Sequence, residues 1–134
     1  ASPKSYINGS STWYDLSSNG RNGTLTNGPT FSSNNGGSIV FDGVNDYVII
    51  PYTSILTPTR ISFEAWFYTS NNTKNQRVIS KTESGGWQIY LNEPASEGFV
   101  SGSTTSIGAL TYITNGYIGT AYPSSNIINN KWYH

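Results

Sequence analysis

Cysteine and methionine are both missing from this 134-residue sequence, and histidine occurs once, as His134. Without cysteine there is no disulfide framework, no thiolate nucleophile and no zinc site built on sulfur. A single imidazole, on an apparent strand, is too little for a histidine metal site and leaves no triad to assemble around it. Charge is scarce as well. Seven basic and seven acidic residues, 10% of the chain together, cancel and leave no field that favours DNA, RNA or an anionic membrane. Lys4, Arg21, Arg60, Lys74, Arg77, Lys81 and Lys131 are scattered, without the clustering that tracking phosphates requires, so no nucleic-acid partner is expected. No apolar run approaches the length of a bilayer span and no charged start leads into an apolar core, so neither membrane insertion nor a signal peptide is expected. The lack of methionine even at position 1 is what a processed or partial product would show.

What the chain does have is aromatic side chains and turn formers. Its apolar content is a modest 35%, but it includes four Trp, ten Tyr and five Phe, enough for the two-layer core of one domain spanning residues 1–134. Asn8-Gly9, Asn19-Gly20, Asn22-Gly23, Asn27-Gly28-Pro29, Asn35-Gly36-Gly37, Gly85-Gly86 and Asn115-Gly116 punctuate the chain too often for long helices. Between them lie runs with β character over 38–41, 46–50, 61–68, 77–82, 86–92 and 98–102, with weaker ones near 109–113 and 117–121. In "ISFEAWFY" (61–68), Ile61, Phe63, Ala65 and Phe67 alternate with Ser62, Glu64, Trp66 and Tyr68, so one face is greasy and the other mixed. "RVISKTESGGWQIYLN" (77–92) reads as a hairpin returning at Glu83 to Gly86, with Trp87, Ile89 and Leu91 aligned on one side. Many short strands without helical crossovers predict an all-β fold, an antiparallel β-sandwich or jelly roll.

The stretch "SIVFDGVNDYVIIP" (38–51) sets two apolar runs around a polar plug. A hairpin explains it: Asp42-Gly43 supplies the backbone angle of a tight return, and Asn45 and Asp46 suit Asx turns. The competing reading takes Asp42, Asn45 and Asp46 as calcium ligands. The plug alone supplies too few of the six to eight oxygens calcium takes, and it lacks the spacing of the twelve-residue calcium loop. Asp15 with Asn19 and Asn22 in "DLSSNGRNG" poses the same alternative, with capping of loop amides the simpler account.

Residues 101–130 are rich in Ser, Thr, Gly, Asn and Tyr and read either as irregular strands or as a long decorated loop, the place to look for a binding surface. A flat ring offers area to the apolar face of a sugar at low conformational cost, which makes the aromatics the best functional candidates. Phe41, Phe63, Trp66, Trp87 and Trp132 lie on strands and are assigned to packing. Tyr112, Tyr117 and Tyr122, around Asn115-Gly116, carry hydroxyls that want water or a ligand. With Asn115 they are the candidate ligand-binding residues.

Taken in order, "WYDLSSNGRNGTLTNGPTF", "GGSIVFDGVNDYVIIP", "ISFEAWFY", "RVISKTESGGWQIYLN" and "NKWYH" resemble the laminin-G-like, concanavalin A-like lectin and glucanase superfamily over nearly the whole chain. The wording is similar in particular to such domains in structural and tail proteins of large tailed phages, including those of marine cyanobacteria. The resemblance implies a concanavalin A-like jelly roll of two curved antiparallel sheets that holds sugars or proteins at a surface. It also implies strands before Pro3–Tyr6 and after Trp132–His134, so the sandwich is expected to be incomplete at both ends and a segment of a larger protein. Glucanases of this fold class set two carboxylates facing one cleft, roughly 5 Å apart in the retaining kind. Among Asp15, Asp42, Asp46, Glu64, Glu83, Glu93 and Glu97 no such strand motif exists, and the nearest pair, Glu93 and Glu97 in "EPASE", is broken by proline. The expectation is therefore a non-enzymatic adhesion or decoration module on a virion surface or otherwise extracellular. It would bind glycan or a cell-surface saccharide beside neighbouring virion subunits and need no cofactor unless calcium. The alternative is a purely structural virion subunit domain making protein contacts, and a third reading is a secreted glycan hydrolase.

Overall fold

A computed structural model describes residues 2–81, 86–92, 106–113, 116–123 and 127–134. Among them the regular structure is all β, in antiparallel pairs, apart from three single 3-10 turns, and no helix is long and apolar enough to cross a membrane. This agrees with the predicted class, a concanavalin A-like sandwich. The chain forms two compact units, residues 1–56 and 57–134.

The first unit contains β1 (Thr12–Trp13), β2 (Gly23–Thr26), β3 (Thr30–Ser32), β4 (Ser38–Val40) and β5 (Tyr47–Ile49), as a three-stranded sheet β1-β2-β5 and a separate β3-β4 pair. Ahead of them, Ser2 and Ser5 form a reciprocal cap around the 3-10 turn Pro3–Ser5. The buried Ser5 hydroxyl also accepts the indole N–H of Trp13 at 3.0 Å, pinning β1 to the N-terminal turn.

The hairpin expected over 38–51 is not formed. Both flanks are strands, but β4 pairs with β3 (Thr30↔Val40) and β5 pairs with β2 (Leu25↔Val48), so residues 42–46 connect two different sheets. The reason lies one turn earlier. Asn35, Gly36 and Gly37 all adopt positive φ (54°, 83° and 102°), which folds β4 back onto β3 before the chain reaches Asp42. Asn22-Gly23 also departs from its turn assignment. Gly23 begins β2, where a Cβ would stand 2.5 Å from Cγ1 of Val48, and its bare backbone is what lets β5 lie against β2.

The second unit contains β6 (Phe67–Thr69), β7 (Gln76–Lys81), β8 (Trp87–Leu91), β9 (Ser106–Ile113), β10 (Gly116–Pro123) and β11 (Lys131–Tyr133). β7 to β10 make an antiparallel meander in the order β10-β9-β8-β7, and β6 and β11 form a separate ribbon. The predicted hairpin over 77–92 is the β7-β8 pair, although residues 82–85 of its return lie outside the described ones. Trp87 and Leu91 are buried as expected, but so are Gln88 and Tyr90 on the opposite face. β8 is thus a central strand buried on both sides rather than a half-exposed one. The Tyr90 ring occupies the space that a side chain at Gly108 of β9 would take.

Of the predicted strand 61–68 only the end pairs, as β6, yet the alternation holds beyond the pairing. Phe63, Ala65, Phe67 and Thr69 turn inward, and Glu64, Trp66 and Tyr68 outward. The alternative of a long loop for 101–130 is overturned over its middle. β9 and β10 are the longest strands described, paired through eight consecutive positions without a shift. The run predicted at 98–102 lies outside the described residues.

Candidate functional site

The four candidate ligand-binding residues separate. Tyr112 and Tyr117 are direct cross-strand partners, while Tyr122 pairs with Ile107 at the far end of the same β9-β10 ribbon, and Asn115 lies outside the described residues. The three tyrosines therefore sit in a regular ladder and not in a loop.

The plug at 42–46 is organised by its own backbone. Asp42 Oδ1 accepts the amides of Val44 (2.8 Å) and Asn45 (3.4 Å), and Asp46 Oδ2 accepts the Asp42 amide (3.0 Å), with Gly43 at φ 74°. The Asn27 side-chain amide donates to the Asn45 carbonyl at 2.7 Å, tying this bend to the end of β2. Of the candidate calcium ligands, Asp42 Oδ1 and Asp46 Oδ2 are thus engaged with amides. Among the described residues no three His, Asp or Glu side chains converge as a metal-holding group.

Asp15 does what the capping account requires. Its carboxylate accepts the Ser17 hydroxyl (2.7 Å), the Ser17 amide (2.8 Å) and the Arg21 amide (2.9 Å), while Asn22 Oδ1 accepts the Asp15 amide (2.9 Å). The Ser17 hydroxyl foremost, then the Arg21 and Ser17 amides, hold the Asp15 pKa below the ordinary carboxylate value.

The most distinctive surface is one that sequence reasoning assigned to the core. Trp66 is 67% exposed, Tyr68 48% and Trp132 39%, and Phe41, at 47%, is likewise no core residue. Trp87 is buried as predicted and Phe63 partly so. The correction follows from the pleat. β11 pairs with β6 through Trp132↔Tyr68 and Tyr133↔Phe67, so Tyr68 and Trp132 share the outward face and Phe67 and Tyr133 the other. On the outward face the Tyr68 and Trp132 rings lie 5.6 Å apart and tilted by 52°, and Trp66 stacks on His134 at 4.9 Å and 24°. On the inward face Phe67 stacks on Tyr133 at 5.6 Å. The signal was present: in "ISFEAWFY" the alternation already puts Trp66 beside Glu64 on the mixed face.

A polar group is fixed at the end of this aromatic strip. Asn130, in the turn before β11, has φ 63°, and its amide donates to the Thr69 carbonyl at 2.8 Å. Its Oδ1 accepts the Tyr68 hydroxyl at 3.1 Å, and the residue is exposed. Asn72 reinforces the turn through Asn129 Oδ1 (2.6 Å) and the Ile127 carbonyl (2.7 Å). Phe63, Ala65, Phe67, Val78, Ile89 and Ile107, together with Glu64 and His134, line a largely apolar, open pocket of about 290 Å³. The outward face thus combines exposed ring planes with a neutral amide, an arrangement suited to contact with another surface.

Residues 42–134 match the family described as the concanavalin A-like lectin/glucanases superfamily. Comparison with curated proteins and with solved structures finds no match. The matched span is shorter than the likeness read from sequence, which began at Trp13, but it covers the bend, the aromatic ribbon and the whole second unit. The chain belongs, as a laminin-G-like member, to the concanavalin A-like lectin/glucanases superfamily.

Proposed function

We propose that this domain is a non-enzymatic binding module that holds a neutral glycan against the outward face of the β6-β11 ribbon, on a virion or other extracellular surface. The superfamily's description names lectins beside glucanases, and membership supports a carbohydrate- or protein-binding module. The observation that carries the glycan reading is the exposed set Trp66, Tyr68 and Trp132 beside Asn130. A pyranose offers an apolar C–H face to a ring plane and hydroxyls to an amide, and the ribbon presents both kinds of partner within two strands. The scarcity of charge favours neutral over anionic saccharides. Among the described residues Glu64 is the one carboxylate on this face of the strand, and Asp15, Asp42 and Asp46 are engaged with backbone amides, which supports binding without hydrolysis, while Glu83, Glu93 and Glu97 lie outside the described residues.

A second reading, a structural subunit domain that makes protein contacts within a virion, is favoured by exposed aliphatics of the first unit, notably Val44 at 82% and Ile7, Ile49, Ile50 and Ile55. A glycan array distinguishes the two. Binding to neutral oligosaccharides that drops about tenfold or more in Trp66→Ala and Trp132→Ala, each retaining its wild-type circular dichroism, is the expected result. An array without signal favours the structural reading, and release of reducing sugar from the bound glycan would overturn the non-enzymatic one.

A further inference from the structure

We propose that Asn72 and Asn129 are positioning residues of the aromatic face, a reciprocal clasp between the β6-β7 connection and the turn before β11 that keeps Asn130 against Tyr68. The inference rests on reading that face as the binding surface. The turn needs a clasp because burial does little to hold it. Ile127 is buried, but Ile128, Asn129 and Asn130 are exposed, and Asn130 has the left-handed φ of 63° that its surroundings must maintain. Its path is therefore set by hydrogen bonds. The Asn72 amide donates to Asn129 Oδ1 at 2.6 Å, and the Asn72 side-chain NH2 donates to the Ile127 carbonyl at 2.7 Å, so each asparagine side chain holds the backbone of the other's segment. Beside this pair the Asn130 amide donates to the Thr69 carbonyl and its Oδ1 accepts the Tyr68 hydroxyl. A closed ring of contacts thus runs from Tyr68 through Thr69, Asn72, Asn129 and Asn130 back to Tyr68.

The β6-β7 half of the clasp stands on a fixed base. The hydroxyl of the buried Thr69 accepts the Asn71 amide (3.1 Å) and donates to the Asn71 carbonyl (2.9 Å), and Gln76 Nε2 donates to the same carbonyl (2.6 Å). Asn92 Nδ2 donates to the Asn72 carbonyl. Gln76 opens β7 and Asn92 follows β8, so the turn that carries Asn130 is registered against the meander through Asn72. The two asparagines have opposite duties. A backbone N–H is met only by an oxygen and a carbonyl only by an N–H, which makes Asn129 an acceptor and Asn72 a donor. A carboxylate can do the first and not the second. Aspartate is therefore expected to work at 129 and to fail at 72, a distinction that filling space at either position would not make.

Residue-resolved amide hydrogen exchange of wild type, Asn72→Asp, Asn129→Ala and Asn129→Asp tests this, with circular dichroism recorded for each. Exchange at the Asn130 amide should be about two- to tenfold faster in Asn72→Asp and Asn129→Ala, the worth of one net hydrogen bond, and Asn129→Asp should restore the wild-type rate. Affinity for neutral oligosaccharides should fall by a similar factor in the same two variants and return in Asn129→Asp. An Asn130 amide that none of the variants alters, an Asn129→Asp protein that behaves like Asn129→Ala, or faster exchange with affinity unmoved would overturn the proposal. Should Asn72→Asp lose the fold, the two Asn129 variants decide it. A wild type that binds no oligosaccharide removes the glycan reading instead, and the exchange pattern then decides the clasp by itself.

Discussion

Gly23→Ala gives the most direct check on how the first unit is packed. By conformational preference alone the change stabilises a strand, since glycine inside one costs about 0.5–1 kcal/mol relative to alanine. The structure argues the opposite. A Cβ at residue 23 would lie 2.5 Å from Cγ1 of Val48, with Cγ1 of Ile50 at 3.7 Å and Cβ of Trp13 at 3.8 Å. Van der Waals contact between carbons is about 3.5–4.0 Å, so roughly an ångström must be found. Val48 is β-branched and stiff at χ1, and swinging Cγ1 aside leaves its rotamer well at about 0.5–1.5 kcal/mol. The alternative, moving β5 away from β2, stretches the Thr24↔Ile49 to Thr26↔Tyr47 ladder. Overpacking of this kind costs about 1–3 kcal/mol, so after the preference gain the variant should be about 0.5–2 kcal/mol less stable. For a chain of this size each kcal/mol lowers Tm by roughly 3–6 °C. The assay is thermal or urea unfolding of Gly23→Ala, Val48→Ala and the double variant. In the double variant the new methyl group occupies space that Val48 vacates, so the two losses should fall short of additivity by about 1 kcal/mol. A Gly23→Ala protein that melts higher than wild type, or strict additivity, refutes the reasoning.

Gly108→Ala is the parallel case in the second unit, where the Tyr90 ring fills the space a Cβ needs, with Cε2 2.8 Å from it, and Tyr90 is fully buried. A loss of about 1–3 kcal/mol is expected in urea unfolding, and partial relief by Tyr90→Leu identifies the ring as its cause. Asp15 provides a pH dependence of definite sign. Its folded pKa lies below the ordinary value, so its contribution is complete above that value and is lost as pH falls through the depressed one. The Tm advantage of wild type over Asp15→Asn should therefore be present at neutral pH and close on acidification. A gap that stays constant to strongly acid pH would show that the Ser17 and Arg21 bonds do not depend on the carboxylate charge.

What the sequence disclosed was period, and what it withheld was partnership. The alternation is real down to single residues over 63–69, although Ile61, expected on the greasy face, is exposed, and the Asn27-Gly28 and Asn35-Gly36-Gly37 signals coincide with positive φ angles. Periodicity says which residues share a face, but it is silent on which strand lies alongside. "SIVFDGVNDYVIIP" is a well-formed local hairpin sentence, yet each half is taken by an earlier partner, β3 for one and β2 for the other, because the sharper reversal at Asn35–Gly37 comes first along the chain. In β9 and β10 the glycines at 108, 116 and 119 dilute the apolar signal, so that eight regular backbone pairs read only as two weaker runs, near 109–113 and 117–121, with a long loop as the alternative. Trp66 is the opposite failure. Its neighbours place it on the face of Glu64, but the general habit of burying large rings outweighs that position when no partner strand is known. Once β11 is set beside β6, through Trp132↔Tyr68, the outward aromatic strip needs no further assumption. The information missing from the 61–68 stretch is therefore held some sixty residues away in "NKWYH", in the rung Trp132↔Tyr68 and the Trp66–His134 stack.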